Sequence, residues 1–232
     1  MLDQIGTTVL TAAFALNLNA AVITMPLSSA KKLMTVTVAG LWIGFAIALG
    51  STGIYESPAI PPAIGVVAAT SVTVIAVAAL LSPDVRGALL AIPLPLLIGL
   101  NAARIAPGAF MVLLAWQGRL SGPFPQLAGW GDIIAGATAI PLMLAVARNF
   151  FDNRGAVLAW NVFGLLDLVT AIVLGVISTP ASPLQIFGGA VGATAIAQLP
   201  WSSIPTLIVP FYLVTHGIIF ARLARAAALP AS

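Results

Sequence analysis

Residues 33–55 read LMTVTVAGLWIGFAIALGSTGIY, twenty-three residues without a charged side chain, closed by Lys32 on one side and Glu56 on the other. A hydrocarbon core is crossed by about 20 predominantly apolar helical residues, so this stretch predicts a transmembrane helix. The pattern repeats outward. Residues 4–30 and 57–83 are each twenty-seven residues long and uncharged. The stretch between Arg86 and Arg119 is broken only by Arg104 and is too long for one upright helix; Pro93 and Pro95 mark a bend where it begins. Three further apolar runs follow. The expected spans are 6–28, 33–54, 60–82, 93–118, 127–146, 157–178 and 201–221, an all-α bundle of seven transmembrane helices forming one integral membrane domain over 1–232.

The totals agree. Of 232 residues 60% are hydrophobic and 6% charged, against about 25% charged in soluble domains. Such a chain lacks the polar side chains to cover a water-facing surface. Nine Lys and Arg give a net charge of +3, too few and too scattered for a nucleic-acid surface. Without Cys there is no disulfide and no thiolate metal site, and one His cannot build a bis-histidine haem or a His-rich metal centre. No cofactor and no metal are expected. Met1-Leu2-Asp3-Gln4 lacks the basic n-region of a cleaved signal peptide, so the first apolar stretch is expected to stay as a helix.

Seven spans place Lys31, Lys32, Arg86, Arg148, Arg154, Arg222 and Arg225 at one end of the bundle and only Arg119 at the other. By the positive-inside rule the N-terminus is expected outside and the C-terminus in the cytoplasm. Trp116, Trp130 and Trp201 fall near outer helix ends, where an aromatic belt sits. The long outer connection 179–200 is uncharged and Gly-rich, and reads as a short interfacial helix or a lid. Gly40 and Gly44 form a GxxxG that permits close helix packing.

Arg104, Asp132, Asp167 and His216 fall at membrane depth. Each charge there costs about 2.5–3.5 kcal/mol on insertion scales, so such residues face inward and take partners. Arg104 and Asp167 lie midway along their helices and are expected to pair, either as a helix lock or as part of a site. Asp132 reads as an N-terminal carboxylate in the helix dipole, or as the outer rim of a polar cavity. His216 is expected one to two turns from the cytoplasmic end of the last helix, as a hydrogen-bonded core residue or a proton relay with Asp167. Pro107, three residues after Arg104, should disturb that helix beside the Arg. Asn101 shares the Arg104 face, and Trp160, Phe163 and Gly164 share that of Asp167; Asn161 completes the candidates. Helices one to three carry no charge and read as scaffold, with Asn17 and Asn19 able to bond across helices.

Gly129-Trp130-Gly131-Asp132, Trp160-Asn161-Val162-Phe163-Gly164-Leu165-Leu166-Asp167-Leu168 and Leu199-Pro200-Trp201 with Ile204-Pro205 resemble an uncharacterised family of bacterial seven-helix membrane proteins with no assigned function. The resemblance spans roughly the C-terminal 140 residues. It implies a bacterial inner-membrane address and no particular activity. A retinal-linked rhodopsin is excluded, because Lys31 and Lys32 are the only lysines.

These residues suggest a membrane-embedded protein that binds a small molecule or lipid, as carrier, sensor or transporter. Arg104 would grip an anionic head and the apolar walls a lipophilic body. The alternatives are a proton-coupled transporter using Asp167 and His216, or a non-catalytic subunit or assembly factor, as a homo-oligomer or in a larger membrane complex. An enzyme is disfavoured: no Ser-His-Asp arrangement stands at recognisable spacing.

Overall fold

The computed structural model describes residues 1–57, 62–149 and 154–228. It is all-helical, and seven of its spans are long and apolar enough to cross a membrane. They are α1 (Leu2–Thr24), α2 (Ser29–Ser51), α3 (Ala63–Leu81), the composite span of α5 (Leu94–Leu100) and α6 (Ile105–Trp116), α7 (Phe124–Ala147), α8 (Arg154–Ile177), and a span that opens as a π-helix at Ile204–Ile208 and continues as α9 (Val209–Ala228). A short helix, α4 (Pro83–Ala91), precedes the fourth span. The expected start of the third span at residue 60 lies outside the described residues.

Local chemistry sets the boundaries. The Ser28 hydroxyl accepts the Lys31 N–H at the start of α2, and Ser82 does the same for Val85 ahead of Pro83 in α4. Pro93 stops α4 from continuing, and the Leu90 carbonyl and that of the capping Ile92 accept from the Arg222 guanidinium instead. α7 begins three residues earlier than expected, because Pro125 sits in the first turn, where its missing N–H is not needed. α9 runs past its expected end at 221: Arg222 and Arg225 favour the negative end of a helix and do not terminate it.

Three apolar cores fill the bundle. The first gathers Phe110, Leu114, Phe124, Ala128, Leu168, Trp201 and Ile208; the second gathers Leu97, Leu100, Ala139, Val157, Trp160 and Ile219. The smallest gathers Ala46, Tyr55, Val67 and Leu207. α6 and α7 approach at backbone distance. A Cβ on Gly129 would stand 3.0 Å from the Gly108 carbonyl, so side chains are excluded from that crossing. By contrast Gly40 and Gly44 meet nothing of this chain within 4 Å.

Two expectations fail at the Arg119 end. Connection 179–200 is no interfacial helix: it is a series of turns with one 3₁₀ turn at Thr194–Ala197, and it tucks Ala193, Ala195 and Ile196 into the first core. Trp201 is buried, not part of a belt. Its Nε1 donates to Asp3 Oδ1 at 2.9 Å, and the same oxygen accepts from Arg119 at 2.7 Å.

Candidate functional site

The fourth span changes from α to 3₁₀ over Asn101–Arg104 and resumes α-helix at Ile105. Pro107 has no N–H to return to the Ala103 carbonyl, so the preceding turn tightens. Arg104 closes that turn between the two larger apolar cores. Its side chain is 0% exposed.

The guanidinium is shared by two carboxylates. Nε donates to Asp132 Oδ1 at 2.7 Å from α7, and Nη2 donates to Asp167 Oδ2 at 2.5 Å from α8. Nη1 donates to the Gly164 carbonyl at 3.2 Å and faces His216 Nε2, also at 3.2 Å. The imidazole is held from behind. His216 Nδ1 lies 2.7 Å from Asn161 Oδ1, while Asn161 Nδ2 donates to the His216 carbonyl at 3.2 Å. The amide's donor is thus committed, and its oxygen receives the Nδ1 proton. Nε2 then carries a lone pair and accepts from Arg104, so the network calls for a neutral imidazole. Four spans meet in one charged knot, with Arg104 at its centre, the two Asp on either side and His216 at the Nη1 edge.

Neighbouring side chains fix this arrangement. The Trp160 ring lies 5.5 Å from that of His216, and its Nε1 donates to the Ala135 carbonyl and to Thr138 Oγ1, both at 3.2 Å. Arg104 Cζ stands 5.7 Å from the Tyr212 ring centroid, a cation–π contact. Asn17 of α1 donates to the Tyr212 hydroxyl and to the Leu100 carbonyl, both at 3.0 Å. Gly164 is required: a Cβ there would stand 2.6 Å from His216 Cε1 and 3.2 Å from Arg104 Nη1.

The expected Arg104–Asp167 pair is present, and Asp132 joins it. The helix-dipole reading of Asp132 is overturned: it is the ninth residue of α7, beyond the first turn, and is bonded to Arg104. His216 likewise lies twelve residues before the end of α9, not one to two turns. Counted from the Arg119 end at about 1.5 Å per residue, all four groups fall within about 12–18 Å of their helix starts or ends. Asn101 is buried but bonds within its own helix to the Leu97 carbonyl, and its Oδ1 has no hydrogen-bond partner. Phe163 faces outward, on the far side of Asp167 from Trp160 and Gly164. Asn19 also bonds within its own helix. Tyr212 was not among the expected residues, although it stands four before His216 and so shares its face.

No curated protein and no solved structure matches the chain. A family described as Domain of unknown function (DUF8737) matches residues 61–224, well over half of the sequence. The match takes in Arg104, Asp132, Asp167 and His216 and leaves out α1 and α2. By that match the chain belongs to the DUF8737 family.

Proposed function

We propose that this protein is a proton-coupled small-molecule carrier of the bacterial inner membrane, with the N-terminus outside and the C-terminus in the cytoplasm. The observation that carries the reading is one buried guanidinium shared by two buried carboxylates, with an imidazole held as a neutral acceptor. With both carboxylates ionised the knot has a net charge of −1. At membrane depth an uncompensated charge is expensive, and one proton on either Asp removes it. A pair of like charges around one counter-ion is a proton-binding device. The reading of Arg104 as a grip for an anionic ligand is less well supported, because its Nε, Nη1 and Nη2 already donate within the protein. The proton is assigned to the carboxylates and not to His216, whose Nε2 faces a cation.

The orientation rests on the seven basic residues gathered at one end. The test is flux: in proteoliposomes Asp167→Asn removes the pH dependence of transport. Unchanged pH dependence in that variant overturns the reading.

A further inference from the structure

Each Asp of the knot gives one oxygen to Arg104. The other two, Asp132 Oδ2 and Asp167 Oδ1, make no hydrogen bond among the described residues, and both side chains are 7% exposed. Asp167 Oδ1 lies directly over Gly131 of α7, where any Cβ would overlap it. Gly131 is half-buried, at the outer edge of the α7–α8 seam. Exposed apolar side chains border that edge. Leu127 and Ile134 stand one turn to either side of Gly131, and Phe163 stands one turn before Asp167. The groups facing Asp167 from the neighbouring elements are Arg104, Asp132 and, behind Arg104, His216 and Tyr212.

We infer that this seam is a binding site for a lipophilic cation, an amine or onium ion with an aromatic or alkyl body, which reaches Asp167 sideways from the bilayer. The inference rests on the reading of the knot as one negative charge awaiting a proton, and names the substrate class of that site. The unpaired Asp167 oxygen supplies the charge. Phe163 supplies a ring face for a cation, and Leu127 and Ile134 hold its apolar body. An anion or a neutral lipid gains nothing from the charge. Cation and proton compete for one carboxylate, which is the coupling an exchanger requires.

The probe is radiolabelled tetraphenylphosphonium, a permanent cation, with the full chain in lipid nanodiscs and empty nanodiscs as the partition control. Expected is saturable binding that weakens as the pH is lowered. Asp167→Asn weakens it by about tenfold or more, and Phe163→Ala, on the exposed rim, by about two- to fivefold. The carboxylic-acid C=O stretch of the same samples, followed by infrared spectroscopy across pH without the probe, separates the two ideas. A protonating carboxyl without saturable binding overturns the lateral cation site and leaves the proton reading standing. Binding that survives Asp167→Asn unchanged overturns the site as well. No protonating carboxyl and no binding overturns both.

Discussion

Arg104 Nη1 and His216 Nε2 face each other at 3.2 Å. Because Asn161 receives the Nδ1 proton, the imidazole meets the guanidinium as an acceptor. A charged imidazole would turn an N–H toward Arg104 and set two cations side by side. His216→Gln can present an oxygen at the same place, whereas His216→Leu leaves an Arg104 N–H and Asn161 Oδ1 unpaired in the core. The Leu variant should lose about 1–3 kcal/mol more stability than the Gln variant, read by denaturant-induced unfolding in detergent micelles.

Arg104 holds the two carboxylates apart. Arg104→Met strands both and should destabilise the fold by about 3–5 kcal/mol. Asp132→Asn and Asp167→Asn keep the hydrogen-bonded geometry and remove the surplus charge, so each single variant should unfold no earlier than wild type. Adding both Asn substitutions to Arg104→Met should restore much of the loss. A triple variant as unstable as Arg104→Met alone would show that charge is not what Arg104 balances.

Gly164 and Gly217 make a paired test of close packing. A methyl at Gly164 runs into His216 and Arg104, while Gly217 meets nothing within 4 Å. Gly164→Ala should therefore cost about 1–3 kcal/mol. Gly217→Ala, in the middle of α9, should gain about 0.5–1 kcal/mol from reduced backbone entropy. Thermal unfolding of the two variants side by side checks both signs.

The absence of cysteine makes the orientation directly testable. Ala190→Cys lies in the connection at the Arg119 end, and Gly87→Cys lies in α4 at the basic end, in open space. An impermeant maleimide applied to intact cells stripped of their outer membrane should label Cys at 190, and at 87 only after lysis. The reverse pattern would overturn the orientation.

Much of the bundle was legible in the sequence because charged residues close most of its long apolar runs, so Lys32, Glu56 and Arg119 mark ends without reference to packing. Arg104 and Asp167 could be paired because both fell near mid-span. Asp132 and His216 were misplaced for the same reason as each other. Their helices extend past the first unfavourable residue: Pro125 is tolerated in the first turn of α7, and α9 continues through Arg222 to place Arg225 in its last turn. The errors, about one turn for α7 and two for α9, each moved a member of the knot toward a helix end. Trp201 was misread because a tryptophan near a helix end looks the same in sequence whether it faces lipid or plugs a core. Only the fold shows that Asp3, nearly two hundred residues away, takes its N–H.

The central claim is that Asp132 and Asp167 share one exchangeable proton around Arg104. Infrared difference spectroscopy of the protein in nanodiscs, alkaline against mildly acidic, tests it most directly. The account predicts a carboxylic-acid C=O band that appears on acidification and is lost or shifted in both Asp132→Asn and Asp167→Asn. Two carboxylates that stay ionised across that range, with no such band in the wild type, would contradict it.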